Sequence, residues 1–469
     1  MVKTSNRLAT EALNEIWQMT GCDASALDNI KLTGEDPVLS SIFRVGTAAS
    51  ATIGAASLAA AEIWRLRTGK RQEVSLDCRD AAIAFCSENY TRVVGKPRTK
   101  FWSPISGYYQ TSDNRWIQLH CQFPHLREGV LKVLDCADDP KAVQQSVAKW
   151  DGLDLERRCR EELLCVALIR SPEEWAVHPQ AQALSGLPLI EIFKVGEAHP
   201  MPLPSDVSRP LSGIKVLDLT KVIAGPVCGR TLASHGAQVI RVGAAHLPVL
   251  ESLVIDTGLG KRSAFLDLRS DSGVNRLREL ACEADIFVQG YRPGTIARRG
   301  FAPDELAKIK PGIVYVTLSA YSHKGPWRDW RGFDSLTQSA SGIVYEGTIA
   351  AGKERPHPLP CQALDHGTGY LAAFGAMVAL KRRVEEGGSW MVRVSLAQTG
   401  QWIDRLGRVD GLSVVNPEEK DIGDLLETHT SPWGDVLHVK SPEVMSETAP
   451  FWEKGPVPVG THTASWVKE

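Results

Sequence analysis

The sequence predicts an α/β protein in which a doubly wound parallel, Rossmann-like sheet domain is joined to a smaller α+β domain. Three observations carry that expectation. From Gly213 onward, short β-branched runs alternate with amphipathic helical stretches. Between residues 100 and 168, a hairpin signature is followed by helical patterns. A passage of Gly, Ala, Ser and Thr is also written twice, beginning at Phe43 and again at Cys361.

The first copy runs Phe43-Arg-Val-Gly46-Thr-Ala-Ala-Ser to Ala61, then Arg67-Thr-Gly69 and Val74-Ser75-Leu76. It is uncharged from Val45 to Ala61 but short for a membrane span and dominated by small residues, which predicts a buried, closely packed helix. Next, Tyr108 to His120 reads as two short strands around a Ser112-Asp113-Asn114 turn. Helical patterns follow over 125–134, 140–149 and 155–168, and the Pro-rich stretch 200–210 reads as a linker.

Strands are then predicted at 214–219, 238–242, 263–268, 285–289 and 312–318, with helices at 226–235, 273–284 and 303–309. The helix 273–284 places Val274, Leu277, Leu280 and Ala281 on one face. Such alternation implies a parallel sheet with right-handed crossovers, with sites off the carboxyl ends of its strands. The second copy follows, Cys361-Gln-Ala-Leu-Asp365-His-Gly-Thr-Gly, closing on Gly387-Gly388 and Val394-Ser395-Leu396. Laying Gly69 on Gly388 sets Gly46 opposite Asp365, so a single copy opens its helix with a carboxylate. The expected division is a first module over 1–205, a linker at 206–212, a Rossmann-like domain over 213–410, and a segment over 411–469 that wraps the surface.

Bulk properties exclude several function classes. The chain has 469 residues, 43% hydrophobic and 23% charged, as an ordinary globular protein would. A net charge of −2 without basic runs argues against nucleic acid as a partner. Ten cysteines lack the two-residue spacing of zinc or redox motifs and read as thiols of a reducing compartment. With no apolar leader at the N-terminus, a cytoplasmic protein is expected, with no membrane partner.

The first strand-to-helix turn, Thr220-Lys-Val-Ile-Ala-Gly225-Pro226, has one glycine where a dinucleotide turn needs three. Gly260-Lys261-Arg262-Ser263 lacks the upstream glycine of a phosphate loop. No metal-ligand spacing is present, which predicts no metal. Judged alone, Asp365 reads as a helix N-cap, and His366 as a packing residue.

Taken in order, however, Gly213-Ile-Lys-Val-Leu-Asp-Leu-Thr, Ala224-Gly-Pro, Gly236-Ala-Gln-Val-Ile, Gly260-Lys-Arg-Ser with Leu266-Asp-Leu, Tyr291-Arg-Pro-Gly294, Gly332-Phe-Asp with Gln338-Ser-Ala-Ser-Gly342, and Asp365 before the Gly/Ala helix resemble the family III (CaiB/BaiF-type) CoA-transferases. The first half resembles the later part of the same family, as though two family modules were fused with the first partly degenerate. The resemblance implies the family III fold and CoA transfer from an acyl-CoA to a small carboxylic acid, through an aspartyl-CoA thioester on Asp365. It implies no permanently bound cofactor, CoA being substrate, and an interlocked homodimer as a possible assembly. Val222 and Ile223 match where the adenine side of CoA packs, Arg298 a basic residue near its phosphates, and Tyr291 an aromatic neighbour. Arg331 and Asp334 match polar positions close to the nucleophile. Gly243-Ala244 and Gly290 depart from the family pattern, and no glycine-rich flap is found. Two alternatives stand beside this: an α-methylacyl-CoA racemase, disfavoured because Phe333 replaces a proton-carrying His, and a non-catalytic family member.

Overall fold

The computed structural model describes residues 6–98, 102–205 and 208–467. Lys100–Phe101 of the small domain's expected start and residues 206–207 of the expected linker therefore lie outside the described residues. A seven-stranded sheet organises the second half. Its strands are β1 (Glu191–Gly196), β2 (Lys215–Leu219), β3 (Gln238–Gly243), β4 (Lys261–Phe265), β5 (Ile286–Gln289), β6 (Val314–Ser319) and β7 (Ser389–Ser395). The spatial order is β4-β3-β2-β5-β6-β7-β1, with β2 to β7 parallel and β1 antiparallel at the edge. The order reverses between β2 and β5, and a doubly wound sheet opens its ligand crevice at such a reversal.

The twice-written passage gives two buried helices of equal length, α1 (Val45–Thr68) and α2 (Ala363–Glu386), 24 residues each. They pack against each other, and α2 also packs on α3 (Ala224–Ser234), the helix that follows β2. Small side chains permit this. At Gly369 an added Cβ would lie 2.5 Å from the Ala224 carbonyl oxygen and 2.7 Å from the Val227 Cβ. Gly369→Ala is expected to push α2 off α3, costing about 1–3 kcal/mol, the usual penalty of overpacking, measured as a lower Tm.

The small domain is a three-stranded antiparallel sheet of Gly107–Gln110, Trp116–Leu119 and Val166–Leu168, flanked by helices Pro124–Leu134, Pro140–Val147 and Gly152–Glu161. The hairpin is where the sequence placed it, with Asn114 in the left-handed region (φ 59°) at its turn. The expected helix over 155–168 is two elements. It stops at Glu161, Leu163 turns the chain at φ 58°, and Val166–Leu168 pairs into the sheet. A buried apolar run has no periodicity to tell helix from strand. The strand expected at 263–268 is β4, set earlier at Lys261–Phe265. Among the described residues no helix is long and apolar enough to cross a membrane.

The last segment does more than wrap. Leu426–Ser431 and Gly434–Val439 form a hairpin that pairs with Arg92–Val93, and Val444–Met445 adds a strand beside Val74–Asp77. Trp452 and Trp466 are buried and donate to the Arg230 and Leu280 carbonyls of the second half, while the hairpin and strand pair with the first.

Candidate functional site

Asp365 is the third residue of α2, and the backbone N–H acting on its carboxylate is that of Ala224, outside its own helix. The N-cap position belongs to Gln362, so the expectation that Asp365 caps the helix does not hold. The cap comes from elsewhere: Asp334, first residue of the helix Asp334–Ala340, accepts the Asp365 backbone N–H at 2.8 Å. Asp334 is fully buried and also accepts from the side-chain amide of Gln338, whose own oxygen accepts the Leu359 N–H at 3.0 Å. Gln338 thereby fixes the rotamer of the carboxylate that fixes α2.

The two acids define the electrostatics. Burial pushes Asp334 up to about 6, against the pull of its amide donors. Asp365 is raised well above the ordinary carboxylate range, first by burial and then by the charges of Asp334 and Glu88. The backbone N–H of Ala224 acts in the other direction, favouring the ionised form. That amide is delivered by the turn after β2. Val222 sits there at φ 71°, a conformation that costs a β-branched residue on the order of 1–3 kcal/mol. Strain of this kind is held where the surrounding structure needs it, here at the start of α3 facing Asp365.

A buried thiol stands just before the start of α2. The Cys361 thiol, hydrogen-bonded to Cys86 and buried, is raised well above its usual range, so it stays protonated. His366 is also fixed in place. It is fully buried, its Nε2 lies 2.9 Å from Glu88 Oε2, and its ring stacks on Phe85 with centroids 5.6 Å apart. Phe333 stacks face to face on His120 of the small domain, with centroids 3.8 Å apart. Burial lowers that imidazole to about 3, leaving it neutral.

The other expected site residues are spread around the crevice. Ile223 is buried at the α3 N-cap, and Val222 faces Phe123, Lys221 and Arg241 across a narrow cleft. Tyr291 lines a separate, largely apolar cavity of about 200 Å³ with Leu247, Leu266, Leu268, Ile296 and Arg299. Gly243 and Ala244, which depart from the family pattern, also line this cavity. Arg298 is exposed on a short 3-10 turn. Arg331 donates to the Leu163 carbonyl at 3.2 Å, and its own carbonyl accepts from Arg160 at 2.9 Å. Both act on Arg292, while the charges that act on Asp365 are those of Asp334 and Glu88.

Several neighbours escaped sequence reasoning. Phe85, Cys86 and Glu88 come from the first half, and no local pattern marks them. Asp36 was missed too, although it repeats the role of Asp334: it accepts the Gly46 N–H at 2.9 Å and the Thr47 N–H at 2.7 Å. The first copy thus keeps the capping carboxylate and lacks the second acid. A Cβ at Gly46 would stand 2.6 Å from both Asp36 Oδ1 and Cys78 Sγ, so no side chain fits there. The equivalence of Gly46 with Asp365 was the legible signal that could have led to Asp36.

The sequence of CoA-transferase family III matches this chain in two blocks, residues 24–189 and 211–405. The chain belongs to CoA-transferase family III. Two matched blocks, each with its own small-residue helix, fit a tandem of two family modules. Among its relatives, an acetyl-coenzyme A transferase of Hypoxylon pulicicidum is 31% identical over 350 residues, 70% of this chain and 58% of that protein. An acyl-CoA transferase of Gibberella moniliformis is 33% identical over 357 residues, 71% of this chain and 61% of that protein. The chain therefore spans about three fifths of the length of these two family III relatives. A solved Mycobacterium tuberculosis structure, 29% identical, covers 42% of this chain and 59% of its own with a TM-score of 0.38.

Proposed function

We propose that this family III protein moves CoA between an acyl-CoA thioester and a carboxylic acid, through a covalent aspartyl-CoA thioester on Asp365. The observation that carries the reading is a buried carboxylate at the start of α2, its backbone held by Asp334 and its side chain facing the Ala224 N–H. Shielding from water makes a carboxylate a stronger nucleophile and protects an anhydride from hydrolysis.

In the forward half-reaction a carboxylate oxygen of Asp365 bonds to the thioester carbonyl carbon. The C–S bond breaks, and CoA leaves as its thiolate. That thiolate attacks the aspartyl carbonyl of the mixed anhydride, forming aspartyl-CoA and releasing the first acid as its carboxylate. The acceptor carboxylate then runs the same two steps backwards. Each step exchanges one activated acyl bond for another, and no proton is consumed. The Ala224 amide is placed to donate to the oxyanion. The amides of Asp365 and His366 are engaged already, by Asp334 and by the Gln362 carbonyl, which leaves them unavailable to the oxyanion.

CoA itself is polyanionic. Lys221 and Arg241 line the cleft beside Val222, Arg298 lies within the field of Arg292, and none of the four has a hydrogen-bonded acid among the described residues, which suits its phosphates. Val222, Ile223 and Tyr291 would pack the nucleoside and pantetheine, with Arg331 at the edge. Ten free thiols suit a reducing, cytosolic setting. The racemase alternative finds less support, because His366 is tied to Glu88 and Phe333 carries no proton.

The test is chemical trapping. The protein, incubated with acetyl-, succinyl-, branched-chain and long-chain acyl-CoA in turn, is quenched and digested. CoA mass or a hydroxamate is expected on the peptide carrying Asp365 with at least one of them. Absence of label with every donor rejects the reading. Deuterium entering the α-carbon of a 2-methylacyl-CoA would favour racemisation in its place.

A further inference from the structure

Away from the crevice, the C-terminal hairpin brings three metal-ligand types onto one face. Glu427 pairs directly with His438 across the two strands, and His429 lies two residues on from Glu427 on the same side. The ligand atoms of all three fall within 4.8 Å of one another.

The orientation of the two rings is decisive. His429 Nε2 lies 2.9 Å from the Trp452 carbonyl oxygen, and His438 Nδ1 lies 3.0 Å from the Val439 carbonyl oxygen. A carbonyl oxygen only accepts, so each of those nitrogens carries its ring's hydrogen. The remaining nitrogens, His429 Nδ1 and His438 Nε2, then face each other at 2.7 Å with a lone pair each. Two lone pairs do not hold that distance without something electropositive shared between them. Glu427 Oε1 stands 3.8 Å from His438 Nε2, its negative charge turned to the same point. His438 is fully buried, and with its Nδ1–H given to the Val439 carbonyl its Nε2 is the nitrogen left to take a metal.

We propose that Glu427, His429 and His438 form a binding site for a first-row transition-metal cation of the Zn2+ type. Imidazole nitrogens that donate their second N–H to backbone carbonyls have the outer-shell arrangement of metal-bound histidines. Seating the ion at bond lengths of about 2.0–2.1 Å requires the rings to part by roughly half an ångström, with water completing a tetrahedron on the half-exposed Glu427 side. The site is structural. It joins the hairpin to the Trp452 segment, whose indole N–H donates to the Arg230 carbonyl at 2.9 Å, and the hairpin pairs with Arg92–Val93, just beyond Glu88. No local spacing in the sequence announces it, because Glu427, His429 and His438 meet only when the hairpin closes.

The experiment uses the full chain, stripped with chelator, re-equilibrated with Zn2+, desalted and analysed for metal, with Tm measured alongside. Cys282 is exposed, so a Cys282→Ser background removes a competing thiol. One Zn2+ per chain is expected, with a rise in Tm that EDTA reverses. Both effects should vanish in Glu427→Gln/His429→Gln, which spares buried His438. Co2+ in place of Zn2+ should give d–d bands of nitrogen and oxygen ligands without thiolate charge transfer. If the stripped wild type takes up no stoichiometric metal, the rings share a proton and the proposal fails. Equal uptake by a folded double variant also overturns it.

Discussion

Asp365→Asn is expected to abolish CoA transfer while raising the stability of the fold. The rate should fall by at least on the order of 10³, the scale of losing a covalent nucleophile, and hydroxylamine-labile modification should disappear with it. The stability gain follows from the raised acid. The native state holds a proton on Asp365 at pH values where an unfolded carboxylate has released it. Stability is therefore lost as pH rises from the unfolded value of about 4 towards the higher native one, and the full penalty stands above it. Asn carries no charge and escapes that penalty. Melting curves from pH 4 to 9 should show the variant's advantage growing with pH and then levelling off. Transfer by the wild type should fall in the opposite direction, as acid protonates the carboxylate pair, with Asp334 at about 6. A variant that lost activity without gaining stability at high pH would contradict the electrostatic account of the site. One that kept activity would reject the nucleophile.

The doubly wound sheet was legible because its strands are short β-branched runs between glycines, and Gly213, Gly236 and Gly312 all punctuate the chain at positive φ. Asp365 was legible through the twofold repeat. Asp334 could be matched in sequence, but its physical task could not. Capping a helix that begins 29 residues later depends on where two loops end in space. Glu88 lies 278 positions from the His366 it holds, so no window along the chain contains both. Ala224 escaped for a different reason: it acts through its backbone amide, to which its side-chain identity gives no clue. Strand Val166–Leu168 and the C-terminal hairpin were hidden by composition, one uniformly apolar and the other mixed with Pro and charge.

Lys261→Met is expected to destabilise the protein by about 3–5 kcal/mol, the cost of leaving a buried acid unpaired. Lys261 Nζ donates to Asp218 Oδ2 at 2.8 Å and to the Pro226 carbonyl at 2.7 Å, with both side chains almost fully buried. Asp218 lies one residue before the end of β2 and also accepts the Thr220 N–H at 3.0 Å, so the pair links β4 to β2 and to the turn that carries Val222. Gly229 leaves the room for it: a Cβ there would lie 2.7 Å from Asp218 Oδ2 and 2.9 Å from Lys261 Nζ. A buried pair of this kind adds little net stability over well-packed apolar residues. The double variant Asp218→Leu/Lys261→Met should therefore recover much of the loss in denaturant melts. It should not recover transfer activity. Without Asp218 nothing holds the Thr220 amide, Val222 relaxes from its strained conformation, and the Ala224 N–H leaves Asp365. Stability restored together with full activity would show that the turn needs no such support, and that the Asp218–Lys261 pair serves the sheet alone.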